Sequence, residues 1–251
     1  MKKNLVLIVL IIFTHSVFSQ IYDCSECHMK IHSERDISNL TFLELKILRN
    51  EIFARHQYVF KDDRLNDYFL DRFDWYKPNH KSENKIELNN FEKANVNLFL
   101  TKEREKLALK EAIIKNLKLL KTALVNEDIN TINSIINKYF TNNEYGDLSS
   151  TRKELKEILN KINIDGIHWY NESGLFKVTT DDGYFLNETS VKITGNKVVL
   201  TYADIGHSEL LTDKTAFSFG SNYFSENEYQ SSYTFEIQNN ELILIEHQAA
   251  G

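Results

Sequence analysis

The sequence predicts an α+β protein: a small, mostly helical N-terminal domain followed by helices packed on a curved antiparallel sheet. Three observations lead there. Apolar residues recur at helical spacing from about Phe42 to Leu159. After Asn163 the pattern changes to short strand-like runs separated by turn pairs. Helices first and strands afterwards is the order of an α+β domain rather than of alternating βαβ units. Composition agrees with a folded chain. At 42% apolar and 26% charged it is ordinary globular usage, which excludes wholesale disorder, a collagen-like chain and a multi-span membrane protein. Sixteen Phe and 12 Tyr supply a sizeable core, and a single Pro argues against long irregular regions. The formal charge of −6 disfavours a polybasic footprint, so no nucleic-acid partner is expected.

The N-terminus carries an export pattern. Lys2 and Lys3 precede an apolar run from Leu5 to Phe13, then Thr14, His15 and Ser16, then Val17-Phe18-Ser19 before Gln20. That is the order of a secretory signal peptide, with Val17 and Ser19 at the small-residue positions of a cleavage site. The run is shorter than the roughly 20 residues a settled span needs. Residues 1–19 are therefore expected to be a signal peptide. Its removal takes two lysines and leaves a charge of −8. No later segment reads as a membrane span, and the expected location is the periplasm or the extracellular space.

Residues 20–35 are expected to be a cysteine-containing linker. Its Cys24 and Cys27 are the only cysteines. In an oxidising compartment they would pair as a disulfide. Cys24-Ser25-Glu26-Cys27-His28 also fits the C-x-x-C-H pattern of haem attachment, with His28 as the iron ligand. A third reading makes Cys24, Cys27, His28 and His32 a zinc site. The disulfide is preferred, and no cofactor or metal is expected.

The first domain opens on Thr41-x-x-Glu44, a capping-box pattern. Leu45, Leu48, Ile52 and Phe53 then share one helical face, and the helix is expected from about Phe42 to His56. Lys61-Asp62-Asp63 breaks the pattern, and Arg64 to Leu70 reads as a shorter helix. Trp75-Tyr76-Lys77-Pro78 reads as an extended aromatic turn, because Pro78 disfavours a helical residue before it. A further helix begins near Asn89 or Asn90.

Leu48-Arg49-Asn50-Glu51-Ile52-Phe53-Ala54-Arg55-His56-Gln57-Tyr58-Val59-Phe60 resembles the core of the YARHG domain family, named for a Tyr-Ala-Arg-His-Gly motif. Phe53 stands where that motif has Tyr, and Gln57 where it has Gly. Leu65, Tyr68, Phe69, Trp75, Tyr76 and Pro78 also fit the family's pattern, and Phe91-Glu92-Lys93-Ala94-Asn95 resembles its closing helix. The resemblance runs from about Asp36 to Glu105. It implies a small exported helical domain that binds an extracytoplasmic ligand or partner, and it implies no reaction. A Gly after the His would permit a left-handed helix stop. Gln57 takes that conformation only at a cost, so a local difference is expected at the helix end. Phe53 keeps the ring of the usual Tyr without its hydroxyl.

Arg49, Arg55, His56, Trp75 and Tyr76 are the candidate ligand-binding residues. One reading makes them a cationic cluster that holds an acidic or glycan ligand against an aromatic ring, for which arginine is suited. The other makes Arg49 and His56 an internal clamp, bonded to the backbone and holding the Trp75–Pro78 turn on the helix. His56 lies on the apolar face with Ile52 and Phe53, which favours the clamp. Arg55, off the edge of that face, is the better surface candidate.

Residues 106–251 are expected to form the α+β domain. Glu103 to Asn126 is rich in good helix formers and should be one long helix. Asp128 caps a second helix through Phe140, and Ser149 or Ser150 opens a third. Strands are expected at Ile167–Tyr170, Leu175–Thr179, Ser190–Thr194, Lys197–Tyr202, Tyr233–Gln238 and Glu241–Glu246. Gly195-Asn196 and Asn239-Asn240 are hairpin tips. The order of elements loosely resembles the cone-shaped α+β domains related to nuclear transport factor, which often enclose an apolar pocket. No zinc-protease, nucleophile-elbow or phosphate-loop motif is present. His168, His207 and the Asp181-Asp182-Gly183 turn are the only hints of chemistry, so no catalytic residue is assigned. The function expected is that of an exported, non-catalytic cell-envelope protein that binds an envelope ligand or protein. The alternatives are an envelope enzyme with a pocket in the second half, and a redox or haem protein acting through Cys24, Cys27 and His28.

Overall fold

A computed structural model describes residues 23–79, 86–141, 148–183, 185–206 and 228–251. The expected signal peptide, residues 1–19, lies outside the described residues, as does His207. The chain divides into two compact units, residues 1–40 with 44–100, and residues 41–43 with 101–251.

Unit 1 is helical, with α1 (Glu34–Ile37), α2 (Phe42–Arg55), α3 (Asp63–Arg72) and the start of α4 (Asn90–Asn126). Ser33 and Asp36 cap α1 reciprocally. Asp62 opens α3 by accepting from the Arg64 N–H at 3.2 Å. Two small cores share α2. Leu45, Leu48 and Ile52 pack with Ile37, Leu40, Phe99 and both cysteines. Ala54 packs with Phe60, Phe69 and Tyr76, and half-buried Phe53 joins this second core rather than the first. Aromatic rings fill the second core, with Phe60 and Phe69 stacked at 5.5 Å.

From Asp23 onward the stretch expected as a linker contributes to the first core. Cys24 and Cys27 are buried in the first core and joined by a disulfide. Asn95 fastens this loop, its amide donating to the Cys27 and Lys30 carbonyls at 3.0 and 2.7 Å and its oxygen accepting from the His32 N–H. A segment so bonded packs as part of a domain. The two helices expected near Asn90 and over Glu103–Asn126 are one 37-residue helix, α4. No Gly or Pro interrupts that stretch, so nothing local ends the first helix before the second begins.

Unit 2 contains the rest of α4, then α5 (Ile129–Thr141), α6 (Leu148–Lys161), a short 3-10 turn (Ile164–Gly166) and six strands. Asp128 caps α5, accepting from the Thr131 N–H and hydroxyl at 3.2 and 2.7 Å. The strands are β1 (His168–Tyr170), β2 (Ser173–Asp181), β3 (Phe185–Thr194), β4 (Lys197–Gly206), β5 (Glu228–Gln238) and β6 (Glu241–Ala250). They form one antiparallel sheet in sequence order. The register aligns one apolar row, Val191 opposite Leu200 opposite Tyr233, and a second, Ile193 opposite Val198 opposite Phe235 opposite Leu244. These residues are buried with Ile113, Leu117 and Leu120 of α4, Ile132 and Ile136 of α5, and Leu155 and Leu159 of α6. The period-two pattern thus puts one face against helices and leaves the other polar. Gly195 has φ +59, and Asn239 and Asn240 have φ +52 and +66, which suits a tight hairpin tip. A bulge between Thr234 and Phe235 sets Ile245 out of register and bends the edge of the sheet. The strands run longer than the apolar runs in the sequence, because their ends carry polar residues on both faces.

Candidate functional site

The C-terminal end of α2 organises the site. Gln57 takes φ +60, so the expected local difference is absent: the left-handed stop is made without glycine. The Gln57 N–H donates to the Ala54 carbonyl at 2.8 Å, and the Tyr58 N–H to the Phe53 carbonyl at 3.2 Å. These are the paired bonds of a Schellman motif, and its usual apolar contact is supplied by Phe53 and Tyr58, with ring centroids 6.2 Å apart. The Gln57 side chain then does what glycine could not. Its Nε2 donates to the Trp75 carbonyl at 3.3 Å, and its Oε1 accepts from the Lys77 N–H at 2.6 Å. The Gln57 carbonyl also accepts from the Asn79 N–H at 3.1 Å. The aromatic turn is therefore strapped to the helix end along its length.

That strap places Trp75 beneath Arg55, whose guanidinium carbon lies 4.6 Å from the ring centre. The same guanidinium donates to Glu51 Oε1 through Nε at 3.0 Å and Nη2 at 2.6 Å. Glu51 is one turn earlier on α2, and its side chain is 2% exposed against 31% for Arg55. Burial pushes the Glu51 carboxyl above its usual range, while the bond from Arg55 and one from the Cys24 N–H hold it down. Arg55 is thus held by an ion pair within the domain and by the ring beside it. Three of its five N–H donors are left for an acceptor outside this pair.

The other candidates do not converge here. His56 Nε2 lies 2.8 Å from Oε1 of buried Glu92. Glu92 in turn completes a capping box at the start of α4, where its Oε2 accepts from the Asn89 N–H at 2.8 Å and its own N–H donates to Asn89 Oδ1 at 3.0 Å. His56 is a clamp between α2 and α4. Tyr76 turns inward. It is 2% exposed, and its hydroxyl sits 2.7 Å from the Tyr58 carbonyl and 2.9 Å from Asn66 Oδ1. Half-buried Arg49 precedes Arg55 by six residues, roughly 120° around the helix, so the two do not form one cationic cluster.

Cys24 and Cys27 spend both sulfurs on the disulfide, so in this state neither haem thioethers nor thiolate zinc ligands are open to them. Among the described residues no group of three or more His, Cys, Asp or Glu side chains is arranged to hold a metal. Asp181-Asp182-Gly183 is a turn closed by its own carboxylates, which accept from the Gly183 and Phe185 N–H groups. His168 is exposed on β1.

Sequence reasoning missed Glu51 and Glu92. Both carry a readable signal: Glu51 stands four residues before Arg55 on one helix, and Asn89-x-x-Glu92 is a capping box. The bridging role of Gln57 carries none, because its partners lie about twenty residues downstream.

The family model of the YARHG domain matches residues 22–104. The matched span begins just before the Cys24–Cys27 loop and includes Glu51, Arg55, His56, Gln57 and Trp75. This domain is typical of exported proteins. No curated protein and no solved structure matches the chain. Among the described residues no helix is long and apolar enough to cross a membrane.

Proposed function

We propose that the protein is a non-catalytic component of the cell envelope, exported to the periplasm or beyond, whose YARHG unit binds an extracytoplasmic ligand or partner through Arg55 and Trp75. The stacked, ion-paired guanidinium carries this reading. A surface arginine ordinarily samples many rotamers, and ordering it on binding costs free energy. Here Glu51 and Trp75 have already ordered it, while about a third of its side chain stays exposed. Such a group suits a carboxylate, which takes two parallel N–H donors, or an acidic sugar packed along the indole. A peptide with a free carboxylate meets the first description.

The test is retention of the intact mature chain on arrays of carboxylate-bearing peptides and acidic glycans. The reading expects a defined subset to be retained in a salt-sensitive way. Retention of nothing, on arrays and from a solubilised envelope fraction alike, would sink it.

A further inference from the structure

Unit 2 holds a second arrangement, independent of the Arg55 site. Along β3, β4 and β5 the helix-facing row changes character toward one end. Val191 gives way to Thr189 and Asn187, Leu200 to Tyr202 and Asp204, and Tyr233 to Ser231 and Tyr229. The register lines these up, with Thr189 opposite Tyr202 opposite Ser231, and Asn187 opposite Asp204 opposite Tyr229. The sheet thus presents its helices with an apolar floor at one end and a polar one at the other. Over the polar part, Glu154, Glu157, Ile158 and Lys161 of α6 close a cavity of about 330 Å³ with Thr189, Tyr202 and Tyr229. That volume suits a small molecule, and charged groups of Glu154, Glu157 and Lys161 stand among its largely apolar walls.

The chemistry of the lining is one-sided. Glu154 Oε2 accepts from the Tyr233 hydroxyl at 2.6 Å, but Glu154 Oε1 is buried with no hydrogen-bond partner among the described residues. The same holds for Asp204 Oδ1, two residues along β4 from Tyr202. A buried acceptor without a donor is costly, so Glu154 Oε1, on a residue that lines the cavity, marks a place for a donor. The Tyr202 and Tyr229 rings stand 6.4 Å apart at 53°, as two walls. Lys161 Nζ already lies over the Tyr202 ring at 5.4 Å, an example of a cation drawn to that face from the rim. Burial, followed by the charges of Asp204, Glu157 and Glu154, pushes the Tyr202 phenol up, which reports a negative local field.

We propose that this cavity binds a small organic cation bearing an amine or ammonium group, with Glu154 as acceptor, the Tyr202 and Tyr229 rings as walls, and Asp204, paired with Tyr229 across β4 and β5, adding negative charge beside them. A neutral polyol could donate to the same oxygen, but it would gain nothing from the charges of Glu154, Glu157 and Asp204.

The experiment titrates the intact mature chain with 1,4-diaminobutane and tetramethylammonium, using 1,4-butanediol as the uncharged counterpart, by calorimetry and thermal shift. Saturable binding of at least one cation with none of the diol is expected. Asp204→Asn and Glu154→Gln should each weaken it about tenfold with an unchanged circular dichroism spectrum. Lys161→Ala, which removes the competing cation at the rim, should tighten it and serves as the deciding variant should Glu154→Gln fail to fold. Equal binding of diol and diamine, no binding of either cation, or wild-type affinity in Asp204→Asn would overturn the proposal. Arg55→Ala should leave this binding unchanged, so its failure and that of the YARHG-unit reading are told apart.

Discussion

Substitution at Gln57 separates two contributions that act in opposite directions. The residue sits at φ +60, where any side chain other than glycine is strained by about 1 kcal/mol. Its side chain makes two hydrogen bonds to the Trp75–Lys77 backbone, each contributing about 0.5–1.5 kcal/mol. Gln57→Ala keeps the strain and loses both bonds, so it should cost about 1–3 kcal/mol. Gln57→Gly loses the bonds but relieves the strain, and should sit about 1 kcal/mol above Gln57→Ala. The chain has two tryptophans, Trp75 in unit 1 and Trp169 in unit 2. In a Trp169→Phe background, fluorescence during urea unfolding therefore reports unit 1 alone. The reasoning predicts the stability order wild type, then Gln57→Gly, then Gln57→Ala. A Gln57→Gly variant clearly more stable than wild type would refute it, because the side-chain bonds would then contribute less than the strain they accompany.

Three further outcomes are expected. His32 is buried, its Nε2 has no partner among the described residues, and burial lowers its pKa below 6.5. The unfolded chain therefore takes up this proton first, so the stability His32 contributes is complete above about pH 6.5 and lost as pH falls through the lower folded value. Unit 1 of the wild type should lose stability more steeply than His32→Gln as pH falls below about 6.5, and parallel curves would refute this. Removing the disulfide with Cys24→Ala/Cys27→Ala should cost about 2 kcal/mol, as its loop is short. The loss should show in Trp75 fluorescence, and an unchanged urea midpoint would contradict it. Leu200→Ala, fully buried in the central rows of the sheet, should cost about 2–5 kcal/mol in the unfolding of unit 2 followed by Trp169 fluorescence, and a loss under about 1 kcal/mol would contradict that packing.

The helices were legible because their signals are local. Leu45, Leu48 and Ile52 mark the face of α2 within three turns, and Asp128 announces the start of α5 within one. The hairpin tips were legible for the same reason, since Gly195 and the Asn239-Asn240 pair select a left-handed backbone on their own. Strand ends were not, because polar residues such as Asn187 and Gln230 sit in the ladder through backbone bonds that any side chain permits. The candidate site was half legible. Arg55 and Trp75 stood out by residue type, but nothing local says that Tyr76 turns inward to Asn66 and the Tyr58 carbonyl while its neighbour Trp75 turns to Arg55. The packing of the Cys24–Cys27 loop was not legible, because the contacts that order it come from Asn95, more than sixty residues away.

The central claim is that Arg55 and Trp75 together hold a ligand, while Tyr76 only supports them. It is tested most directly by measuring retention of the intact mature chain on carboxylate-peptide and acidic-glycan arrays alongside its Arg55→Ala, Trp75→Ala and Tyr76→Phe variants, each shown to be folded. The account predicts that the first two lose the retained set and that Tyr76→Phe keeps it. Equal retention by Arg55→Ala and the wild type would contradict it.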